Sequence, residues 1–247
     1  MLHIKQNNTG ISEPLGYILL FSLSIIVVGL LFGIAVPNLN EDMNNKKVVE
    51  MEDTFGILHS NISDLTWLDN TERTTTVKTT EYPVQSISEN EIKIRFPSSG
   101  RQVYTTYQPI EYTNTDVNGT VIYENGAVIT NGPTGSYMTR EPNISTVNNT
   151  LILPFINTQA VETSEQPGQI YTIQTTKREL QLETISVGSG DPEFVIESEY
   201  PTAWTQMLDQ TTSLNSCSET STGRVSCQID GSIDTIKIRS VQITVSI

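Results

Sequence analysis

An uncharged apolar run dominates the start of the chain. The 22 residues between Pro14 and Pro37, LGYILLFSLSIIVVGLLFGIAV, carry no charged side chain. As an α-helix rising about 1.5 Å per residue, this run covers about 33 Å and can cross a bilayer. We therefore predict a transmembrane or pilin-type helix over residues 11–37. Gly29 and Gly33 form a small-xxx-small pair, which favours close packing of two such helices.

The same run has a second interpretation, a cleaved secretion signal. Gly33-Ile34-Ala35 offers a small-residue cleavage site, which would leave Val36 as the first residue. Against it, the apolar run is longer than a normal signal core, and Lys5 is the only base before it. A membrane anchor is therefore the favoured interpretation.

The orientation of the anchor is predicted from the lengths of its flanks. Lys5 precedes the span, while Lys46 and Lys47 follow it, so the count of bases alone favours a cytoplasmic C-terminal part. A short leader is easily retained, whereas a long polar domain translocates largely regardless of its charge. We expect a single-pass protein of the cell membrane with an extracellular C-terminal domain.

A different periodicity follows Pro37. Apolar residues recur at steps of three and four, as in one face of a helix, and we call this set the seam: Val48, Met51, Phe55, Leu58, Ile62 and Leu65. We predict an amphipathic helix over residues 38–70, with a kink or break at Pro37. The seam can pack on the chain's own β domain or on neighbouring subunits, and the two interpretations are compatible in a filament.

The remainder, residues 71–247, is rich in short segments of Val, Ile, Thr and Tyr punctuated by Pro, Gly and Asn. In TVIYENGAVIT, Asn125-Gly126 lies between two apolar alternations and predicts a two-residue β-hairpin. The stretch YPTAWTQMLDQ predicts one short helix with Trp204, Met207 and Leu208 on one face. The predicted fold class is α+β, with the long N-terminal helix followed by a mainly antiparallel β-sandwich or rolled sheet.

Two cysteines, Cys217 and Cys227, flank a Ser/Thr/Gly-rich stretch that is typical of a hairpin loop. In an oxidising compartment they would pair, and otherwise they are two unrelated thiols.

The charge composition indicates which kinds of partner the protein can bind. Acidic residues outnumber basic ones 28 to 14, which gives a net charge of −14. A scattered acidic surface repels nucleic acid and suits a solvated, saline exterior, so we expect no nucleic-acid partner. Beyond the apolar run, four N-glycosylation sequons agree with an extracellular domain, at Asn61, Asn118, Asn143 and Asn148.

The sequence offers little catalytic chemistry. Its two histidines are His3, in the leader, and His59, on the predicted helix, so they form no His-based triad. The acid pairs Glu197/Glu199 and Asp191/Glu193 could serve glycoside hydrolysis, but such pairs are expected by chance among 28 acids. We expect neither an enzyme nor a resident cofactor or metal.

The junction TGISEPLG, residues 9–16, resembles the processing site of archaeal type IV pilins. The resemblance implies a leader over residues 1–10 that a prepilin peptidase removes after Gly10, leaving Ile11 as the N-terminus. Thr9 stands where that family has Lys or Arg. Glu13 is then the third mature residue, whereas bacterial pilins have their glutamate at the fifth.

A longer resemblance links the chain to an uncharacterised group of pilin-like envelope proteins of haloarchaea. It runs through SEPLGYILLF, EDTFGILHSNISDL, YQPIEYTNTDVNGTVIYENGAVI, MTREPNISTVNNTLILPFI and YPTAWTQML. It implies a structural surface subunit that is held in membrane lipid and can join like subunits in adhesive, type IV pilus-like filaments. The alternative is a non-filamentous single-pass envelope protein whose β domain is a binding or coat module.

Overall fold

A computed structural model describes residues 12–78, 82–161, 170–188, 190–220 and 223–246. The chain forms two compact units, residues 1–44 and 45–247. Gly10 and Ile11, which flank the predicted cleavage, lie outside the described residues. Glu13 lies in the first helix, and its side chain is likewise not described.

The N-terminal part is helical. One helix, α1, runs from Ser12 to Trp67 without interruption, so a break at Pro37 was wrong, while the alternative of a kink there stays a prediction. A proline inside a helix removes one hydrogen bond and crowds the preceding turn, at a cost of about 3 kcal/mol. Long helical segments on both sides of Pro37 outweigh this loss. Within the first unit, Gly16–Gly33 is apolar enough to cross a membrane, with a mean hydropathy of 2.4.

The second unit contains the end of α1, a short helix and fifteen strands among the described residues. The short helix, α2, spans Pro201–Leu208 and buries Trp204, Met207 and Leu208, as predicted. The strands are β1 (Glu72–Lys78), β2 (Val84–Ser86), β3 (Asn90–Phe96), β4 (Arg101–Tyr107), β5 (Ile110–Asn114), β6 (Gly119–Glu124), β7 (Ala127–Gly132), β8 (Gly135–Arg140), β9 (Ser145–Val147), β10 (Thr150–Val161), β11 (Ile170–Ser186), β12 (Glu193–Glu197), β13 (Leu214–Glu219), β14 (Arg224–Ile229) and β15 (Thr235–Ser246).

These strands form three five-stranded sheets. The first sheet has the order β1-β11-β15-β10-β9, the second β13-β14-β12-β3-β4, and the third β2-β5-β6-β7-β8. Their pairings are antiparallel except for β10 and β15, which run parallel over twelve residues. The α+β class and the mainly antiparallel character are confirmed. A two-layered sandwich or rolled sheet stays a prediction.

One of these strands is longer than the short β-rich segments that the sequence predicts. Strand β11 joins two such segments, IYTIQTT and RELQLETIS, and its register against β15 shifts between Lys177 and Glu179. This bulge inserts one residue and turns the side chains after it to the opposite face. The change in alternation made one long strand look like two.

Two apolar clusters form the core. The first cluster lies around α2 and includes Ile122, Phe155 and Ile236. The second cluster lies around the end of α1 and includes Tyr123 and Val241. Strands β6, β10 and β15 contribute side chains to both clusters, because alternate residues of a strand point to opposite faces.

The hairpin β6–β7 lies between the two clusters. All six residues of β6 are buried, as are the first four of β7. The two turn residues have positive φ, 42° at Asn125 and 83° at Gly126, as the predicted hairpin turn requires. The predicted hairpin is therefore confirmed, and the segment is buried on both faces.

The seam of α1 lies in the second cluster. Met51, Phe55, Leu58, Ile62 and Leu65 are all buried there, and Val48 packs against them. Strands of the first and third sheets provide the opposing side chains, among them Val77, Ile173 and Val128. The seam thus packs on the chain's own β domain.

Replacing Phe55 with aspartate tests this packing. Phe55→Asp removes a fully buried ring and introduces a charge, so we expect the free energy of unfolding to fall by about 4 kcal/mol or more. The matched control is Ile57→Asp, because Ile57 is exposed on the same turn. Urea unfolding of the full chain in detergent, followed by tryptophan fluorescence, measures both. Equal effects of the two variants would contradict the packing.

Candidate functional site

The apolar segment of α1 is the most exposed hydrophobic surface among the described residues. Every side chain from Gly16 to Gly33 is exposed, including Phe21, Ile25 and Leu31. Nothing described lies within 4 Å of a Cβ built at Gly29 or Gly33, so this small-residue face is open. A surface of this size and apolarity is stable only in lipid or against other apolar helices.

A polar cleft of about 860 Å³ lies in the β domain beside the start of α2. Three carboxylates line it, those of Glu197, Glu199 and Glu219. Arg224 donates a hydrogen bond to Glu197 and forms an ion pair with it. The Thr202 hydroxyl donates a hydrogen bond to Glu219 at 3.2 Å. Glu197 and Glu199, one of the acid pairs in the sequence, therefore share a cleft wall; β12 ends at Glu197, and Glu199 follows it.

A buried carboxyl group lies behind this wall. Glu124, the last residue of β6, is fully buried, and its Oε1 accepts hydrogen bonds from the Ser198 hydroxyl and the Trp204 indole N–H. No described group lies within hydrogen-bonding distance of Oε2. Burial raises the pKa of Glu124 to about 7, the nearby Glu199 charge adds to this, and the two hydrogen bonds oppose it.

Glu124 and Glu197 differ in their exposure and in their partners. A retaining or inverting glycosidase needs an acid of raised pKa that reaches the substrate. Glu124 has the raised pKa but is sealed in the core, while Glu197 faces the cleft and is paired with Arg224. Across the described ranges, no group of three His, Cys, Asp or Glu side chains is placed to hold a metal ion.

Asn125, the residue after Glu124, forms side-chain hydrogen bonds with the backbone of β10. Its side-chain Nδ2 donates to the Pro154 carbonyl at 3.3 Å, and its Oδ1 accepts from the Ile156 N–H at 2.8 Å. The amide thus completes the edge of β10 where no described strand pairs with it. Gly126 then allows close approach, since a Cβ there would lie 3.2 Å from the Ile156 Cδ1.

The disulfide predicted between Cys217 and Cys227 is confirmed. It joins β13 and β14, an antiparallel hairpin on the edge of the second sheet. Gly223 in its turn has a φ of 73°, and a Cβ there would lie 2.8 Å from the Ser198 carbonyl oxygen. The cross-linked hairpin therefore packs directly against the cleft wall.

The four sequons differ in the exposure and hydrogen bonding of the asparagine side chain to which a glycan would be attached. Asn118 and Asn148 are exposed in turns with positive φ. The Nδ2 of Asn143 is also exposed and donates to the Ser63 hydroxyl at 2.9 Å. In contrast, the Nδ2 of Asn61 donates to the Thr74 carbonyl and the Thr75 hydroxyl of β1.

The fold and these features define a class: an α+β protein with one N-terminal apolar helix and a disulfide-bonded β domain. The helix fits a membrane anchor and also a signal sequence. The chain belongs to the family described as "Family of unknown function (DUF7289)", whose model matches residues 10–246. That match covers both the helix and the β domain. No curated protein and no solved structure matches the chain.

The buried carboxyl group predicts a pH dependence of stability. The pKa of Glu124 in the folded chain, about 7, exceeds its ordinary value of 4.5. The stabilisation of the folded state by the protonated carboxyl group is therefore full below pH 4.5 and is lost as the pH rises through 7. The difference between the two pKa values corresponds to about 3 kcal/mol in the free energy of unfolding, at about 1.4 kcal/mol per pKa unit. Glu124→Gln keeps an oxygen acceptor without the charge and should remove this loss.

Urea unfolding at a series of pH values checks this expectation, with Glu89→Gln at an exposed acid as the control. The stability difference between Glu124→Gln and the unchanged chain should grow in favour of the variant from pH 4.5 to pH 8. A constant difference over that range would contradict the assignment.

The hydrogen bonds of Asn61 predict uneven glycan occupancy. On the chain folded in a host that N-glycosylates exported proteins, we expect Asn118 and Asn148 to be occupied more than Asn61. A glycan on Nδ2 of Asn61 would break the bonds to β1. Glycopeptide mass spectrometry measures occupancy at each site, and full occupancy at Asn61 without loss of stability would contradict this prediction.

Proposed function

We propose that this protein is a structural, pilin-like subunit of an archaeal cell surface. Its N-terminal helix holds it in membrane lipid, and its acidic β domain is extracellular. A prepilin peptidase removes residues 1–10, and the mature subunit joins like or related subunits in type IV pilus-like filaments for adhesion.

The observation that carries the proposal is the exposure of the apolar segment Gly16–Gly33. No residue of this segment is buried, although its mean hydropathy is 2.4. Storage in a bilayer and packing in a filament core demand the same surface, an uncharged helix with small contact residues. The open faces of Gly29 and Gly33 support helix-to-helix contact in the second state.

The positions of two segments that carry the resemblance to pilin-like envelope proteins further support a structural role. YENGAVI and YPTAWTQML are far apart in sequence, yet Glu124 of the first accepts a hydrogen bond from Trp204 of the second. These residues are buried and hold elements together. The segments that carry the resemblance therefore include residues that build the domain.

One sequence feature favours a second candidate function. Thr9 replaces the basic residue that precedes the cleaved bond in archaeal type IV pilins. If the bond is not cut, the protein is a permanent single-pass envelope protein whose β domain binds a partner or coats the cell.

N-terminal mass analysis of the protein from native membranes separates these functions. We expect a start at Ile11 that is lost in a strain lacking the prepilin peptidase. As paired variants, Gly10→Val should block the cleavage, whereas Gly16→Val, beyond the cleaved bond, should leave it intact. A start at Met1 or Leu2 would identify a permanent anchor, and a start at Val36 would identify ordinary secretion.

A further inference from the structure

One strand edge in the first sheet is open. Strand β1 covers β11 from Ile170 to Thr176, and the Lys177 N–H donates to the Thr71 carbonyl at 2.8 Å. Beyond that point, no described strand pairs with β11 on this side, although β15 pairs with its other side as far as Ser186. We call the segment Arg178–Ser186 the open edge.

The edge of β10 in the same sheet is covered differently. Strand β9 pairs with its first residues, and the Asn125 side chain bonds to Pro154 and Ile156. Further along, Gln108 exchanges hydrogen bonds with Thr158 and Ala160. The fold therefore satisfies one edge of this sheet with strand and side-chain partners, whereas the other edge has no strand partner over nine residues within the described part of the chain.

The backbone groups that face the open edge follow from the strand pairing. The Val187 N–H donates to the Asp234 carbonyl on the β15 side. Successive residues of a strand direct their backbone groups to opposite edges, so Ile185 and Glu183 also face β15. Leu180, Leu182 and Thr184 therefore present their N–H and C=O groups at the open edge.

Apart from the buried Ile185 and the half-buried Glu183, which pairs with Arg101, the side chains on this segment are also exposed. Leu182 is 70% exposed and Leu180 is 38% exposed. Leu182 lies opposite Arg239, whose guanidinium lies 5.1 Å from the centre of the Trp67 ring at the end of α1. Proteins normally protect an edge strand with proline, a covering loop or a run of charges. Here the middle of the edge carries two exposed leucines and no proline.

We propose that the open edge is an interaction surface that pairs antiparallel with the same edge of a second copy of this chain. With the two-fold axis at Leu182, Leu182 faces its own counterpart and Leu180 faces Thr184. About six backbone hydrogen bonds then form, two for each pair of outward residues.

The charges on the edge select this register over its neighbours. An axis at Gln181 would place Glu179 opposite Glu183 of the second copy, and an axis at Glu183 would place that residue opposite itself. Like charges directly opposite each other destabilise a strand pair. The axis at Leu182 places no two like charges opposite each other, so the edge is complementary to itself in that register.

Cysteine cross-linking of the full chain in detergent micelles tests the contact. The native cysteines are joined in a disulfide, and no free cysteine is present among the described residues, so an introduced thiol is the reactive one. Leu182→Cys should give a covalent dimer on mild oxidation, several-fold above Thr212→Cys, an exposed site after α2. Differently tagged Leu180→Cys and Thr184→Cys chains should cross-link to each other when mixed.

A second pair of variants tests whether strand pairing causes the contact. In the Leu182→Cys chain, Thr184→Pro removes an outward N–H and should abolish the dimer, whereas Thr184→Ala should retain it. Circular dichroism confirms that each variant is folded. Equal cross-linking of Leu182→Cys and Thr212→Cys would overturn the proposal, because association through the apolar helices alone favours neither site. Persistence of the dimer in folded Thr184→Pro would also overturn it.

Discussion

The hydrogen-bonded tip of the β6–β7 hairpin is the contact on which the rest of the β domain depends. Glu124 receives hydrogen bonds from Ser198 and Trp204, and Asn125 bonds to the backbone of Pro154 and Ile156. Adjacent residues thereby tie the third sheet to α2 and to the first sheet. Both side chains are buried between the two apolar clusters, where losing a partner leaves a polar group unsatisfied at a high cost.

This arrangement explains why the hairpin tolerates a carboxyl group in the core. A buried acid is costly when charged, but the raised pKa of Glu124 keeps it neutral below about pH 7, where it still accepts two hydrogen bonds. An apolar residue would leave the Ser198 hydroxyl and the Trp204 indole without this acceptor. The glutamate therefore specifies how α2 docks, and it does so from a position that no substrate can reach.

Sequence reasoning worked where a pattern is local. The apolar run, the α1 seam, the Asn125-Gly126 turn and the Trp204 helix all depend on neighbours within a few residues. Partnerships between distant residues were not predictable in the same way. Glu124 lies 80 positions from Trp204, and nothing in the letters YENG distinguishes an exposed turn acid from a buried one. The signal that could have been used was an acid directly joined to an apolar run long enough to be buried on both faces.

The placement of β15 has a consequence for how the domain is made. This strand lies between β10 and β11 and pairs with each of them over its whole length, yet it follows every other described strand in the chain. The first sheet cannot close until residues 235–246 have been synthesised, and many of its contacts span large loops, which slows folding. The first sheet must therefore remain incomplete until its last strand has been synthesised. The strand placed between two long neighbours is thus the last described strand of the fold to arrive.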